Sequence, residues 1–81
     1  MTPKQMGRLG LFHIEEAILE VLSEEPEGLT PANISRRIGI YGHPDAELAL
    51  TYAIAHGTLV ELEQKRLVER SDSSRWKLTE Q

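Results

Sequence analysis

Apolar and polar positions alternate along most of this chain with a period close to that of an α-helix. In "FHIEEAILEVLSEE" the residues Ile14, Ala17, Ile18, Val21 and Leu22 recur at helical spacing and glutamates fill the other face, which predicts a first amphipathic helix. "PEGLT" then turns the chain. Thr30 followed by Pro31 reads as a helix start, because a threonine hydroxyl accepts from free backbone N–H groups and proline at the first helical position forfeits no hydrogen bond. Ile34 and Ile38 form the inner stripe of this short second helix, and Gly39 is its expected stop. Ahead of the first helix, Met1 to Gly10 carries Pro3, Gly7 and Gly10 without periodicity, and reads as an arm or extended segment.

The connection "IYGHPDAE" leads to a third helix, with Pro44 at its first position and Asp45 and Glu47 near the positive end of the helix dipole. Leu48, Tyr52, Ala55, Leu59 and Leu62 share the face expected to pack on the first two helices. Ala46, Leu50, Ala53, Ile54, Gly57 and Val60 point elsewhere, so the first half of this helix is apolar nearly all round. A second parse stops the helix at Gly57 and starts another with a capping box of Thr58 and Glu61. One long or bent helix is favoured, because the split leaves a second piece of only about two turns. After it, Leu67, Val68 and Glu69 suit a strand, "SDSS" a turn and "RWKLT" a second strand. Trp76, the only tryptophan, is expected to pack into the core from that hairpin.

With 81 residues the chain is one domain, mainly α with a small β-hairpin: an arm over 1–12, a helical core over 13–66 and a hairpin over 67–81. Its third helix then has more apolar surface than one small core can cover. Either the arm, with Met6, Leu9, Leu11 and Phe12, folds over it, or a second copy does, through Leu50, Ala53, Ile54 and Gly57. The homodimer is the expected solution.

The composition narrows the function classes. There is no cysteine, hence no disulfide or thiolate metal site, and no apolar run of the roughly 20 residues that cross a bilayer. The absence of a secretory leader pattern points to the cytoplasm. His13, His43 and His56 lack ligand spacing, and no phosphate loop or nucleophile–base pattern occurs, so we expect no metal, no cofactor and no enzyme. The net charge of −4 weighs against nonspecific nucleic-acid binding but is unevenly spread. Glutamates crowd the first third, whereas Arg70, Arg75 and Lys77 lie near the end.

From Ile14 to Thr79 the order of elements resembles the winged helix-turn-helix domains of MarR-like and PadR-like transcription regulators. "LVELEQKRLVER" and "RWKLTEQ" are similar to the end of a recognition helix and the two wing strands, and "LTPANISRRIGI" to the helix before the turn. The resemblance implies a three-helix core plus C-terminal wing that binds duplex DNA as a dimer and regulates transcription. On that reading Arg36 and Arg37 of the second helix and Arg70, Arg75 and Lys77 of the wing hold phosphates, while Thr51 of the third helix contacts the groove. Three departures stand out. The connection "IYGHPDAE" is longer than the tight turn of the simplest members. Arg66 occupies the turn before the first wing strand, where these families usually have glycine, and the first half of the third helix has no Arg, Lys, Asn or Gln for base contacts. The alternative is the same fold serving as a protein-interaction module without nucleic acid.

Overall fold

The computed structural model describes residues 1–40 and 52–79. Among these it has three helices, α1 (Pro3–Ser23), α2 (Pro31–Ile38) and α3 (Ala53–Gln64), then a hairpin of β1 (Val68–Arg70) and β2 (Trp76–Leu78) joined by a 3-10 turn at Asp72–Ser74. The hairpin is antiparallel, with Val68 opposite Leu78, Glu69 opposite Lys77 and Arg70 opposite Trp76. The proposed helix start at Pro44, and with it Leu48, Leu50 and Thr51, lies outside the described residues.

The largest departure from the sequence reading is at the start. Residues 3–12 are helical and continuous with α1. The cause is local: the Thr2 side chain accepts from the Gln5 backbone N–H at 3.2 Å, and the Gln5 side chain accepts from the Thr2 N–H at 2.8 Å. With Pro3 at the first helical position, this capping box starts the helix despite Gly7 and Gly10. The segment therefore projects as a rod; it does not fold back over α3, whose Ile54 remains 55% exposed.

The core is one cluster. Ile18 and Leu22 of α1, Ile34 of α2, Ala55, Leu59 and Leu62 of α3, Val68 of β1 and Trp76 of β2 are all buried. The helical stripes read from the sequence supply most of it. Within its described range α3 runs unbroken through Gly57, and Thr58 caps nothing. Its hydroxyl donates to the Ile54 carbonyl at 2.7 Å inside the helix, which satisfies a buried polar group and removes the two-helix parse.

Helices α2 and α3 end in the same way, with different residues. At the end of α2, Ile40 N–H donates to Ser35 O at 3.0 Å and Gly39 N–H to Arg36 O at 3.3 Å around Gly39 at φ 80°. At the end of α3, Leu67 N–H donates to Leu62 O at 3.0 Å and Arg66 N–H to Glu63 O at 2.9 Å around Arg66 at φ 63°. Both are Schellman motifs. A side chain at left-handed φ costs about 1–2 kcal/mol, of which the greater unfolded-state freedom of glycine recovers about 0.4–1. Arg66→Gly is accordingly expected to stabilise the domain by a few tenths to about 1 kcal/mol, read as a raised urea midpoint with an unchanged slope.

The hairpin is also bridged to the turn between α1 and α2. Leu29, in the turn between α1 and α2, exchanges both backbone hydrogen bonds with Trp76: Leu29 N–H to Trp76 O at 2.9 Å and Trp76 N–H to Leu29 O at 2.8 Å. Gly28 makes this approach feasible. It sits at φ 87°, and a Cβ there would lie 2.6 Å from the Trp76 carbonyl oxygen.

Candidate nucleic-acid interface

The Leu29–Trp76 bridge sets the N-terminus of α2 beside the hairpin. Thr30 caps that helix, accepting from the Asn33 N–H at 3.3 Å, with Pro31 after it. The start of α3, at Tyr52 and His56, completes a concave face. Between them opens a cleft of about 540 Å³ lined by Thr30, Pro31, Ala32, Tyr52, His56, Arg70, Ser71, Ser74 and Trp76. Its floor is the Trp76 indole, only 3% exposed, as expected of a core tryptophan. The His56 ring stands edge-on to the indole at 6.2 Å. The Arg70 guanidinium lies over it, 4.8 Å from the ring centroid, and Arg70 Nε also approaches a Glu63 carboxylate oxygen at 3.6 Å. One cation, one imidazole and several hydroxyls thus face a common space.

The other cations named from the sequence are not gathered there. Arg75 and Lys77 line a separate shallow surface with Pro26, Glu27, Ser71 and Asp72. Strand alternation accounts for this split: Arg70 shares the face of its cross-strand partner Trp76, whereas Lys77 points to the opposite side. Lys77 Nζ lies 3.7 Å from Glu69, directly across the hairpin. Arg75 has no ion-pair partner among the described residues. At the far end of α2, roughly 9 Å along its axis from Thr30, Arg36 Nη1 donates to Asn33 Oδ1 at 3.0 Å. Arg37 is held by two carboxylates, Glu25 at 3.1 Å and Glu24 at 3.2 Å. Its pairing ties the end of α1 to α2 and offsets its charge. Thr51 lies outside the described residues.

Of the proposed dimer face, Ala53, Ile54 and Gly57 are exposed on α3, and Leu50 lies outside the described residues. Lys65 was given no role by the sequence. Its ammonium donates to Glu15 Oε2 at 2.8 Å, linking the end of α3 to α1. That hydrogen bond, opposed by desolvation and reinforced by the Glu15 and Glu61 charges, raises the Lys65 pKa above its usual 10.5. A raised folded-state pKa means the contribution is complete below pH 10.5 and is lost as pH climbs through the raised value. The difference in melting temperature between wild type and Lys65→Gln should therefore shrink in alkaline solution and stay constant through neutral pH.

The sequence marks Thr30 as a cap and Ser71 and Ser74 as turn residues. What brings Thr30 to Arg70 and the hairpin is the single-residue bridge at Leu29, whose one sequence signal is Gly28. Among the described residues no three metal-binding side chains cluster, and no helix is long and apolar enough to cross a membrane. Comparison of the chain with protein-family models, with curated proteins and with solved structures finds no match.

Proposed function

We propose that this chain is a winged-helix DNA-binding protein, a transcription regulator whose duplex-facing surface is the concave face between the N-termini of α2 and α3 and the hairpin. The observation that carries the reading is the cleft in which Arg70, laid over Trp76, faces the capped N-terminus of α2 and His56. A helix N-terminus and a fixed guanidinium suit phosphate oxygens, and Ser71, Ser74 and Thr30 supply hydroxyls for the sugar–phosphate backbone. Arg75 extends this contact along the outside of the wing. Carboxylates beside Arg37, Lys77 and Arg70 hold affinity down, so binding is weak, salt-dependent and nearly indifferent to sequence unless two wings engage one duplex.

Isotherms on mixed-sequence duplex DNA at two salt concentrations test this. Arg75→Ala should lower affinity equally on all sequences and reduce the salt slope by roughly one unit. Glu69→Gln, which removes the carboxylate opposite Lys77, should strengthen binding. No binding at ~50 mM salt, where phosphate contacts are strongest, would sink the proposal. The chain would then be a protein-interaction module, a reading favoured by the exposed apolar side chains at the start of α1.

A further inference from the structure

Most of the exposed large apolar side chains among the described residues lie at the start of α1, with Ile54 and Leu67 standing elsewhere. Met6 is 56% exposed, Leu9 43%, Leu11 42% and Phe12 55%, all within the first three turns of α1. At 100° per residue, Leu9 stands on the side of the helix directly opposite the core residue Ile18, and Met6 and Phe12 flank it one step of three away. Whereas Leu11 lies within about 20° of the Ile18 side, the stripe of Met6, Leu9 and Phe12 faces away from the domain. Downstream it continues through Glu16 and the half-buried Leu19.

The same half of α1 lacks visible support. Every side chain from Pro3 to His13 is exposed. It contains Gly7 and Gly10, each costing a helix interior about 1 kcal/mol relative to alanine, and a helix of so few residues is marginal in water without tertiary contacts. A capping box worth about 1 kcal/mol does not offset that. A cover over the stripe would stabilise this half beyond what propagation from the docked half of α1 supplies.

Charge selects the occupant. Lys4 and Arg8 are the charged side chains of the first half, whereas Glu15, Glu16 and Glu20 occupy the second. Glu15 is held by Lys65, and Glu16 and Glu20 stand on the Leu9 side. A parallel pair of α1 helices would set cations against cations and glutamates against glutamates. An antiparallel pair sets each basic half along the other's acidic half. We infer that α1 pairs antiparallel with α1 of a second copy of this chain, the two helices crossing near Gly10 with Leu9 against the partner's Phe12, Gln5 level with the partner's Glu16 and Thr2 level with the partner's Leu19. The second copy thus sits on α1 and leaves the Ala53, Ile54 and Gly57 face of α3 outside the contact. This holds whether or not the wing binds DNA. A contact of a few helical turns lies at the small end of specific interfaces, so the dimer should dissociate in the micromolar range.

Sedimentation equilibrium of the full chain from about 1 to 200 µM measures the association. All substituted positions are exposed, so the core should survive, which Trp76 emission checks. Because Gln5 also completes the Thr2 capping box, far-ultraviolet circular dichroism checks that α1 keeps its helix. Leu9→Glu with Phe12→Glu should raise the dimer dissociation constant roughly 100-fold or more, from the loss of two buried apolar side chains. Ile54→Glu should leave it unchanged. Orientation is read by disulfides, which the cysteine-free wild type cannot form: an equimolar mixture of Gln5→Cys and Glu16→Cys chains should oxidise mainly to the mixed 5–16 species. A wild-type monomer throughout the range overturns the inference. A dimer broken by Ile54→Glu but not by the α1 pair overturns it in favour of α3. Predominant 5–5 and 16–16 disulfides overturn the antiparallel arrangement.

Discussion

Trp76→Ala is expected to unfold the domain at room temperature. The indole is buried among the side chains that join both helical stripes to the hairpin, and it supports His56 on one side and Arg70 on the other. Removing a buried aromatic of this size costs about 3–5 kcal/mol through lost transfer energy and the cavity left behind. A domain of this length has little more than that in total, since native stabilities begin near 5 kcal/mol. The measurement is a urea titration followed by far-ultraviolet circular dichroism, in which the variant should show its midpoint near zero denaturant. In the wild type the same burial predicts short-wavelength emission that iodide quenches poorly. Strong quenching would place the ring in solvent and remove the basis of both expectations.

Gly28→Ala is expected to be nearly as damaging for a one-carbon change. The new β-carbon would fall 2.6 Å from the Trp76 carbonyl oxygen and 3.1 Å from its carbonyl carbon, at a residue already at φ 87°. Backbone atoms cannot swing aside as a flexible side chain would, so relief requires breaking the two hydrogen bonds between Leu29 and Trp76. Left-handed strain and the opened bridge together amount to about 2–4 kcal/mol. Gly39→Ala supplies the control. That residue has a similar φ of 80° but open space around its Cβ position, so its cost should be the conformational part alone, about 1 kcal/mol. Equal losses at the two positions would show that the close approach at Gly28 carries no energy of its own.

Much of this architecture can be read from residues whose local chemistry agrees with their packing. Thr30, Pro31 and Gly39 bound α2 because cap, proline and left-handed glycine each have one favourable place in a helix. Trp76 and Leu78 alternate with Arg75 and Lys77 because one face of the hairpin is buried and the other wet. The start of α1 escaped for an identifiable reason: two glycines masked a capping signal, Thr2-Pro3-Lys4-Gln5, that a search for apolar periodicity does not weigh. Arg66 behaves similarly, since its positive φ is imposed by the Schellman bonds around it and contradicts its own preference. The candidate interface was legible only in its cations. Which of them face one another depends on strand alternation and on carboxylates brought near through space, and Glu24 and Glu25, drawn to Arg37 across the α1–α2 turn, could not be assigned to it from spacing along the chain.

The pairing of Leu29 with Trp76 also bears on the order in which the chain acquires its structure. The two helices on either side of Leu29 are complete by residue 38, yet the strand that receives Leu29 is synthesised only after α3 and β1. Ile18, Leu22 and Ile34 therefore wait for Trp76 before their cluster closes. During translation the first two helices would emerge as an apolar, unfinished pair, and the domain would become cooperative only once residue 78 had cleared the ribosome. Such long-range closure slows folding relative to a bundle of local contacts. It also makes the hairpin a gauge of integrity: a chain cut short before Trp76 lacks the piece that completes its core, and quality-control proteases would meet it as an unfolded substrate.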